Sequence, residues 1–463
     1  MRTALDDSAL GGGDRGAQIS GRVAVVGFAR TGRAAASLLA RRGVDVVVIE
    51  DRPGSDARTF ADELGVELVV SPSAVQLGDL FRGVALVVVS PGVPPTHPAF
   101  ALARGRVISE IELAWRLSSM PVVAITGTNG KTTVTALATT MLVESGIAAS
   151  AVGNIGDAFI TVADDANVAM AVCEVSSFQL AYTARFRPFV ATWLNLAEDH
   201  LDWHRDLDDY VASKAKIWAN QQADDVAIAN ADDPIVLREA KRARGRVVTF
   251  GRELADYRIE RERFLGPTGE DFGRVEDLPR RFPHDEMNAL AALATAHQAG
   301  ATVVACADAL RRPMPMPHRV EFVASDQGVS YYDDSKATTP SAVVAALAGF
   351  SSVVLIAGGR NKGLDLGAIE LQARTRLSTR IAGVVAIGEA ADEVVAAFRD
   401  YAVTTAPSME EAVAEGAALA RAGDAVLLSP GCASFDWYRS YEERGDDFAR
   451  VVRARIANRE TGS

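Results

Sequence analysis

Cysteine is scarce in this chain: Cys173, Cys306 and Cys432 are three residues in 463, far apart and without a CxxC pair. Such spacing speaks against a disulfide framework or a zinc ribbon and fits a reducing compartment. A long apolar run is also missing. The most apolar window, 341–357, is broken at Gly349, Phe350, Ser351 and Ser352, and it reads as a buried helix running into a buried strand. The first twenty residues, MRTALDDSALGGGDRGAQIS, lack the apolar core of a signal peptide and read as a flexible lead-in. Basic residues do not predominate, because 48 Lys plus Arg against 60 Asp plus Glu leave a net charge of −12. Proteins that coat nucleic acid or an anionic membrane are normally basic, so neither partner is expected. The composition is that of a cytoplasmic α/β protein. Any anionic ligand must be held locally, by Lys, Arg, magnesium or helix N-termini, against the field of the whole molecule.

What the sequence does have is alternation. Short Val- and Ile-rich runs such as RVAVVGF (22–28), VDVVVIE (44–50), ALVVVSPG (85–92), VVAITG (122–127), VAMAVCEV (168–175) and SVVLIAGG (352–359) alternate with Ala-rich helical stretches. Continuous apolar strands joined by crossover helices indicate parallel sheets covered on both faces. Boundaries are expected near Ser118–Pro121 and at the Pro-rich RRPMPMPHRV (311–320). Three domains result, 1–120, 121–317 and 318–463, in an α/β fold. The charge-rich stretch 252–281 is expected to be an irregular β excursion, and no repeat of fixed period is present.

The motifs lie at strand ends. GFARTG (27–32) follows the first strand, and Glu50-Asp51-Arg52 closes the second about twenty residues on, the outline of a dinucleotide-binding unit. Ala29 stands where the middle glycine of GxGxxG belongs, so the segment reads equally as an ordinary tight turn. VVAITGTNGKTTVT (122–135) is more specific. It is a variant P-loop in which backbone amides cradle phosphate, Lys131 reaches the outer phosphates and the Thr132 hydroxyl can bind magnesium. Glu174 ends an apolar strand in CEVSSFQL (173–180), where a lone carboxylate is costly unless a cation meets it. His200 in NLAEDHLDWH (195–204) and Lys214 in YVASKAKIW (210–218) follow.

Together with PHRVE (317–321), DDSKATTP (333–340), GGRNKG (358–363) and LSPGCASFDWYRSYEERG (428–445), these segments occur in the order found in Mur ligases. The chain resembles that family of ATP-dependent amide ligases of peptidoglycan assembly over nearly its whole length, and within it the D-glutamate-adding branch. The resemblance implies a Rossmann-like N-terminal domain, a P-loop-type central ATPase domain and a Rossmann-like C-terminal domain. It implies ATP contacts at Gly127, Thr128, Asn129, Gly130, Lys131, Thr132, Thr133, Asn288, Arg319 and Asp334. Two magnesium ions would be held by Thr132, Glu174, His200 and Lys214, with Lys214 carbamylated. The uridine diphosphate sugar would meet Arg30, Thr31, Gly32, Asp51, Arg52, Ser90 and Gly92 in the first domain, and Asn154, Ser176, Gln179 and His200 in the second. D-glutamate would meet Thr338, Lys362, Ser434 and Tyr441. Three positions depart from the family pattern: Asp285 in HDEMN (284–288) replaces an asparagine expected at adenine, Ala197 a threonine, and Tyr441 a phenylalanine.

The implied substrates are UDP-N-acetylmuramoyl-L-alanine, D-glutamate and ATP, acting on a monomer. Lys131, Glu174, His200 and Lys214 form the implied catalytic set. Competing readings are another Mur-type ligase, a folylpolyglutamate synthase, an NAD-dependent oxidoreductase built on GFARTG, and a nucleotide-regulated binding module.

Overall fold

The computed structural model describes residues 19–200, 203–313 and 317–461. Residues 1–18 of the expected lead-in, Leu201 and Asp202 of NLAEDHLDWH, and 314–316 of the Pro-rich stretch lie outside them. The described chain forms three sheets flanked by helices. The first contains β1 (Arg22–Val26), β2 (Val46–Glu50), β3 (Glu67–Val70), β4 (Val84–Val89) and β5 (Val107–Ser109) in the order β3-β2-β1-β4-β5, all parallel. The interiors of β1, β2 and β4 are apolar because both faces are covered. Val23 and Val25 enter one hydrophobic cluster and Ala24 and Val26 another, and Val46/Val48 against Val47/Ile49 repeat the division in β2.

The second sheet contains β6 (Val122–Thr126), β7 (Ala149–Gly153), β8 (Met170–Glu174), β9 (Val190–Trp193), β10 (Val226–Asn230), β11 (Arg246–Gly251), β12 (Tyr257–Glu260), β13 (Arg263–Leu265) and β14 (Asp271–Arg274). Their order is β14-β13-β12-β11-β10-β9-β6-β8-β7. The three last-numbered strands are the β excursion expected over 252–281, and the pairs β12–β13 and β13–β14 are antiparallel. The third sheet contains β15 (Glu321–Asp326), β16 (Val329–Asp333), β17 (Ser352–Gly358), β18 (Arg380–Ile387), β19 (Val403–Ala406) and β20 (Ala425–Leu428), in the order β15-β16-β20-β17-β18-β19. Only the β15–β16 hairpin in it is antiparallel. The window 341–357 is the expected helix, Pro340–Leu347, followed by β17. No helix among the described residues is long and apolar enough to cross a membrane.

Two compact units emerge. Of the described residues, those within 19–196, 205–277 and 288–311 hold the first two sheets, and those within 197–200, 203–204, 278–287, 312–313 and 317–461 hold the third. Two short excursions from the middle of the chain, around Asp199 and over 278–287, therefore belong with the C-terminal sheet.

Within the first unit the helix Glu110–Leu117 carries two fully buried acids with opposite fates. Glu112 accepts from Arg116 and from the backbone amides of Ala184, Arg185 and Phe186. Glu110 accepts from the Ile160 amide at 2.6 Å through one oxygen, while its other oxygen is buried with no hydrogen-bond partner. Burial pushes the Glu110 carboxyl up from 4.5 to about 7, opposed by that single amide. An acid raised in the fold favours the folded state fully below the unfolded value of 4.5 and loses that contribution as pH rises through 7. The swing is on the order of 3 kcal/mol at most. Glu110→Gln keeps the acceptor for Ile160 and cannot ionise. Denaturant unfolding at pH 5 and pH 8 is expected to show a variant more stable than the parent at pH 8 and a shallower pH dependence. An unchanged slope would remove Glu110 from the account.

Candidate active site

The carboxyl ends of β1, β2 and β4 open into a cavity of about 710 Å³. Ligands of open parallel sheets bind at such ends, where the strand order reverses, and here it reverses between β1 and β4. The cavity wall includes Arg30, Thr31, Asp51, Arg52, Ser90 and Gly92 from the first sheet, and Asn154 and Gln179 from the second. Eight residues expected at the uridine diphosphate sugar thus line one cavity. Gly32 lies beneath it, because a Cβ there would run into the Gly27 carbonyl, so the helix Arg30–Arg41 packs tightly on the turn. That helix has no side-chain cap, which leaves its first-turn amides suited to an anion. Ser176 caps the helix Ser177–Ala181 in a capping box with Gln179.

Hydrogen bonding distinguishes the two acids at the end of β2. Glu50 accepts from the Phe28 amide at 2.5 Å and the Arg52 amide at 2.9 Å, so it closes the turn. Asp51 also lines the cavity, with His97 Nε2 at 3.3 Å. The Ala99 amide donates to His97 Nδ1, which places the proton of a neutral imidazole on Nε2, toward Asp51. Sequence reasoning passed over His97, which carries no spacing signal of its own.

One sheet away, β6 runs into the loop 127–130 and the helix Lys131–Glu144. Gly130 has φ of 83°, and a Cβ on it would collide with Asn288 Oδ1, which places Asn288 against the loop. Lys131 Nζ donates to the carbonyls of Gly127 and Thr128, each at 2.9 Å. Lys214 is 1% exposed, its Nζ donates to Gly127 O at 2.7 Å, and it stands 4.7 Å from the Tyr210 ring centre. The Tyr210 hydroxyl in turn lies 3.1 Å from Thr128 Oγ1. Asn195, at the end of the β9 segment, bonds the amides of Thr128 and Asn129. Asn195 and Tyr210 were legible only as letters inside NLAEDHLDWH and YVASKAKIW.

Glu174 pairs with Ile125 in the β6–β8 register, so its carboxylate stands beside the entrance to the loop. Asn154 Nδ2 donates to Glu174 Oε1 at 2.8 Å, while Glu174 Oε2 is buried with no hydrogen-bond partner. A buried carboxylate oxygen left over in this way is costly, and a cation is the group that satisfies it. Glu174 therefore fits a magnesium ligand.

The second unit gathers the other expected residues. His200 adopts φ of 55°, a conformation that non-glycine residues hold only where their surroundings enforce it. Asp199 bonds the His200 amide at 2.8 Å, stands 3.2 Å from its Nε2, and accepts from Lys362 at 3.1 Å. Asp199 is the link the sequence reading did not single out. Asp334 follows β16 and is fully buried. Ser429 Oγ and the Val320 amide donate to it, and burial pushes its carboxyl up to about 7. Arg319 is flanked by His318 and Val320, both at positive φ. Ser434 is buried after β20, Thr338 is half-buried after β16, and the Tyr441 carbonyl accepts from Ser335 at 2.8 Å. Lys336 Nζ lies 4.9 Å from the Tyr441 ring.

Asp285, the departure in HDEMN, is occupied locally. Arg280 forms a bidentate pair with it at 2.7 and 2.6 Å, the Phe282 amide donates to it at 3.2 Å, and Arg280 also reaches the Arg319 carbonyl.

The Mur ligase middle domain matches residues 125–296, and the Mur ligase, glutamate ligase domain matches residues 318–432. The chain is 42% identical over 457 residues to the UDP-N-acetylmuramoylalanine--D-glutamate ligase of Desulfosudis oleivorans, covering 93% of this chain and 96% of that one. Identity to the enzyme of the same name from Frankia casuarinae is 42% over 458 residues, covering 94% of each. Among solved structures, UDP-N-acetylmuramate-alanine ligase MurC from Thermotoga maritima superposes with a TM-score of 0.57 at 18% identity, over 94% of this chain and 99% of that one. MurF from Acinetobacter baumannii gives 0.58 at 18%, over 93% of each. At that identity the likeness is one of fold.

Asp285→Asn keeps the shape but removes the charge that Arg280 meets with its bidentate pair. Chemical denaturation is expected to show a loss of about 1–2 kcal/mol, the scale of a partly exposed charge-assisted pair. A variant as stable as the parent would mean that Asp285 is free for another partner.

Proposed function

Because the chain belongs to the Mur ligases, in the branch of UDP-N-acetylmuramoylalanine--D-glutamate ligases, we propose that it joins D-glutamate to UDP-N-acetylmuramoyl-L-alanine at the expense of ATP. The reading places this step of peptidoglycan precursor synthesis in the cytoplasm. One observation supports it above the rest: the cavity of the first sheet extends to Asn154, which holds Glu174, which stands one strand from the P-loop. A sugar nucleotide anchored at Arg30, Asp51 and Ser90 would direct its far end toward Asn154, and so toward the phosphate loop.

An amide does not form from a free carboxylate and an amine in water without activation. The terminal carboxylate oxygen of the L-alanyl group attacks the γ-phosphorus of ATP, the bond to the β-phosphate oxygen breaks, and ADP leaves. The amine nitrogen of D-glutamate then adds to the carbonyl carbon of the acyl phosphate. Loss of a proton and of inorganic phosphate completes the amide. Two anions must meet in the first step, and the protein must offset their repulsion. Lys131 lets go of the Gly127 and Thr128 carbonyls and turns to the outer phosphates. Thr132 and Glu174 would hold one magnesium ion, and His200 and Lys214 would serve a second. Bound magnesium would supply positive charge where the two anions approach. Asn288, Arg319 and Asp334 bind the nucleotide. Thr338, Lys362, Ser434 and Tyr441 bind D-glutamate, and Lys362 exchanges Asp199 for the amino-acid side-chain carboxylate.

Lys214 must change its charge in this scheme, since an ammonium repels a metal ion. Carbon dioxide adds to the neutral amine, forming an N–C bond, and the nitrogen releases a proton to solvent to give a carbamate anion; burial of Lys214 among Gly127 and Tyr210 shields that group. Lys214→Ala is expected to lower turnover at least about 100-fold, with partial recovery on adding acetate. Lys214→Arg should stay inactive, because guanidinium keeps the charge and forms no carbamate. An active Arg variant would remove the carbamate from the mechanism.

Lys131→Ala is expected to abolish ADP release while the sugar nucleotide binds with nearly unchanged affinity in a calorimetric titration. The lysine opens the helix that follows the loop after β6, whereas the cavity's charged wall comes from the first sheet. Loss of both ligands together would contradict this division of labour.

A further inference from the structure

A loop that binds phosphate through its backbone has to hold its own shape when empty, and here one side chain grips it from the neighbouring strand. Asn195 Oδ1 accepts from the Thr128 amide at 3.1 Å and from the Asn129 amide at 2.9 Å. Its Nδ2 donates back to the Asn129 carbonyl at 3.1 Å, and its backbone carbonyl shares the Thr128 amide at 3.1 Å. A single primary amide thus addresses two successive peptide groups, as acceptor through its oxygen and as donor through its nitrogen. Asn195 is itself fixed. The Leu194 amide donates to Thr126 O at 2.9 Å, Asn230 holds the Leu194 carbonyl at 2.7 Å, and the Trp193 indole donates to Asn195 O at 3.2 Å.

The other side of the same loop segment is bonded too. The Gly127 carbonyl receives Lys131 and Lys214, and the Thr128 carbonyl receives Lys131. The amides of residues 128 and 129 therefore face Asn195 rather than a ligand. Only at Gly130, with φ of 83°, does the chain turn into the helix Lys131–Glu144, which has no side-chain cap at its N-terminus. Phosphate recognition falls to that second half of the loop, and the first half supplies its shape.

We infer that Asn195 is the positioning residue of the phosphate loop, holding residues 127–129 so that the amides from Gly130 onward point at the nucleotide. The inference rests on the ATP reading above and adds a residue to it. The opposite role is also chemically coherent: if phosphate takes the amides of Thr128 and Asn129, Asn195 competes with it. The two roles differ in sign.

The test is ATP titration by calorimetry on the full chain, with steady-state kinetics in all three substrates. Asn195→Ala removes every side-chain contact to the loop and is expected to weaken ATP binding about tenfold or more. The KM for the sugar nucleotide should stay within about twofold. Asn195→Asp is near-isosteric and serves if the Ala variant does not fold. It keeps both acceptors, loses the donation to Asn129 O and brings a negative charge to the loop, so ATP binding should again weaken while the ligand-free melting temperature stays close to the parent's. A general loss of structure would move all three KM values together, and that result would overturn the positioning role. Tighter ATP binding by Asn195→Ala would show a competitor, and unchanged binding would show a bystander; either overturns the inference. A parent protein that binds no ATP would overturn the reading beneath it as well.

Discussion

Three parallel strands end side by side in the second sheet, and the chemistry depends on that coincidence. β8, β6 and β9 are adjacent, and their carboxyl ends deliver Glu174, the phosphate loop and Asn195. Parallel strands point all their carboxyl ends the same way, so residues distant in sequence meet there without further design. The first sheet obeys the same rule, and its cavity collects the segments that follow β1, β2 and β4. In the third sheet, Asp334 follows β16, Lys362 follows β17 and Ser434 follows β20.

Charge imposes the second constraint. The chain carries −12 overall and is read as handling a nucleoside triphosphate, a diphosphate sugar and an acidic amino acid. Attraction must therefore be local and short-ranged. Two cations rest on neutral or acidic partners, Lys131 on the Gly127 and Thr128 carbonyls and Lys362 on Asp199. In the proposed function each exchanges that contact for a ligand. Glu174 shows the complementary device, an acid with one oxygen bonded to Asn154 and the other left buried without a partner.

Strands and their faces were readable in the sequence because parallel strands buried on both sides are uniformly apolar. Short edge strands escaped, since β3 (ELVV) and β19 (VTTA) are partly exposed and bury too little to leave a pattern. Motif residues with unusual chemistry, such as the Lys131 loop and Glu174, were legible because their types are expensive or rare where they stand. Asn195, His97 and Asp199 were not. Each acts by bonding a group that only folding brings near, and an asparagine, a proline-flanked histidine or one more aspartate carries no spacing signal. The Asp285 departure was visible, but its meaning came from Arg280, five residues away, which donates to both of its carboxylate oxygens.

The central claim, that ATP activates the sugar-nucleotide carboxylate for attack by D-glutamate, is most directly tested by ADP release. The assay compares UDP-muramoyl acceptors without alanine, with L-alanine and with L-alanyl-D-glutamate, each against several amino acids of both configurations. Sustained ADP release is predicted only for UDP-N-acetylmuramoyl-L-alanine with D-glutamate, because a polar chiral pocket leaves its buried groups unpaired with the wrong isomer. Comparable release with L-glutamate, or with another acceptor, would contradict the account.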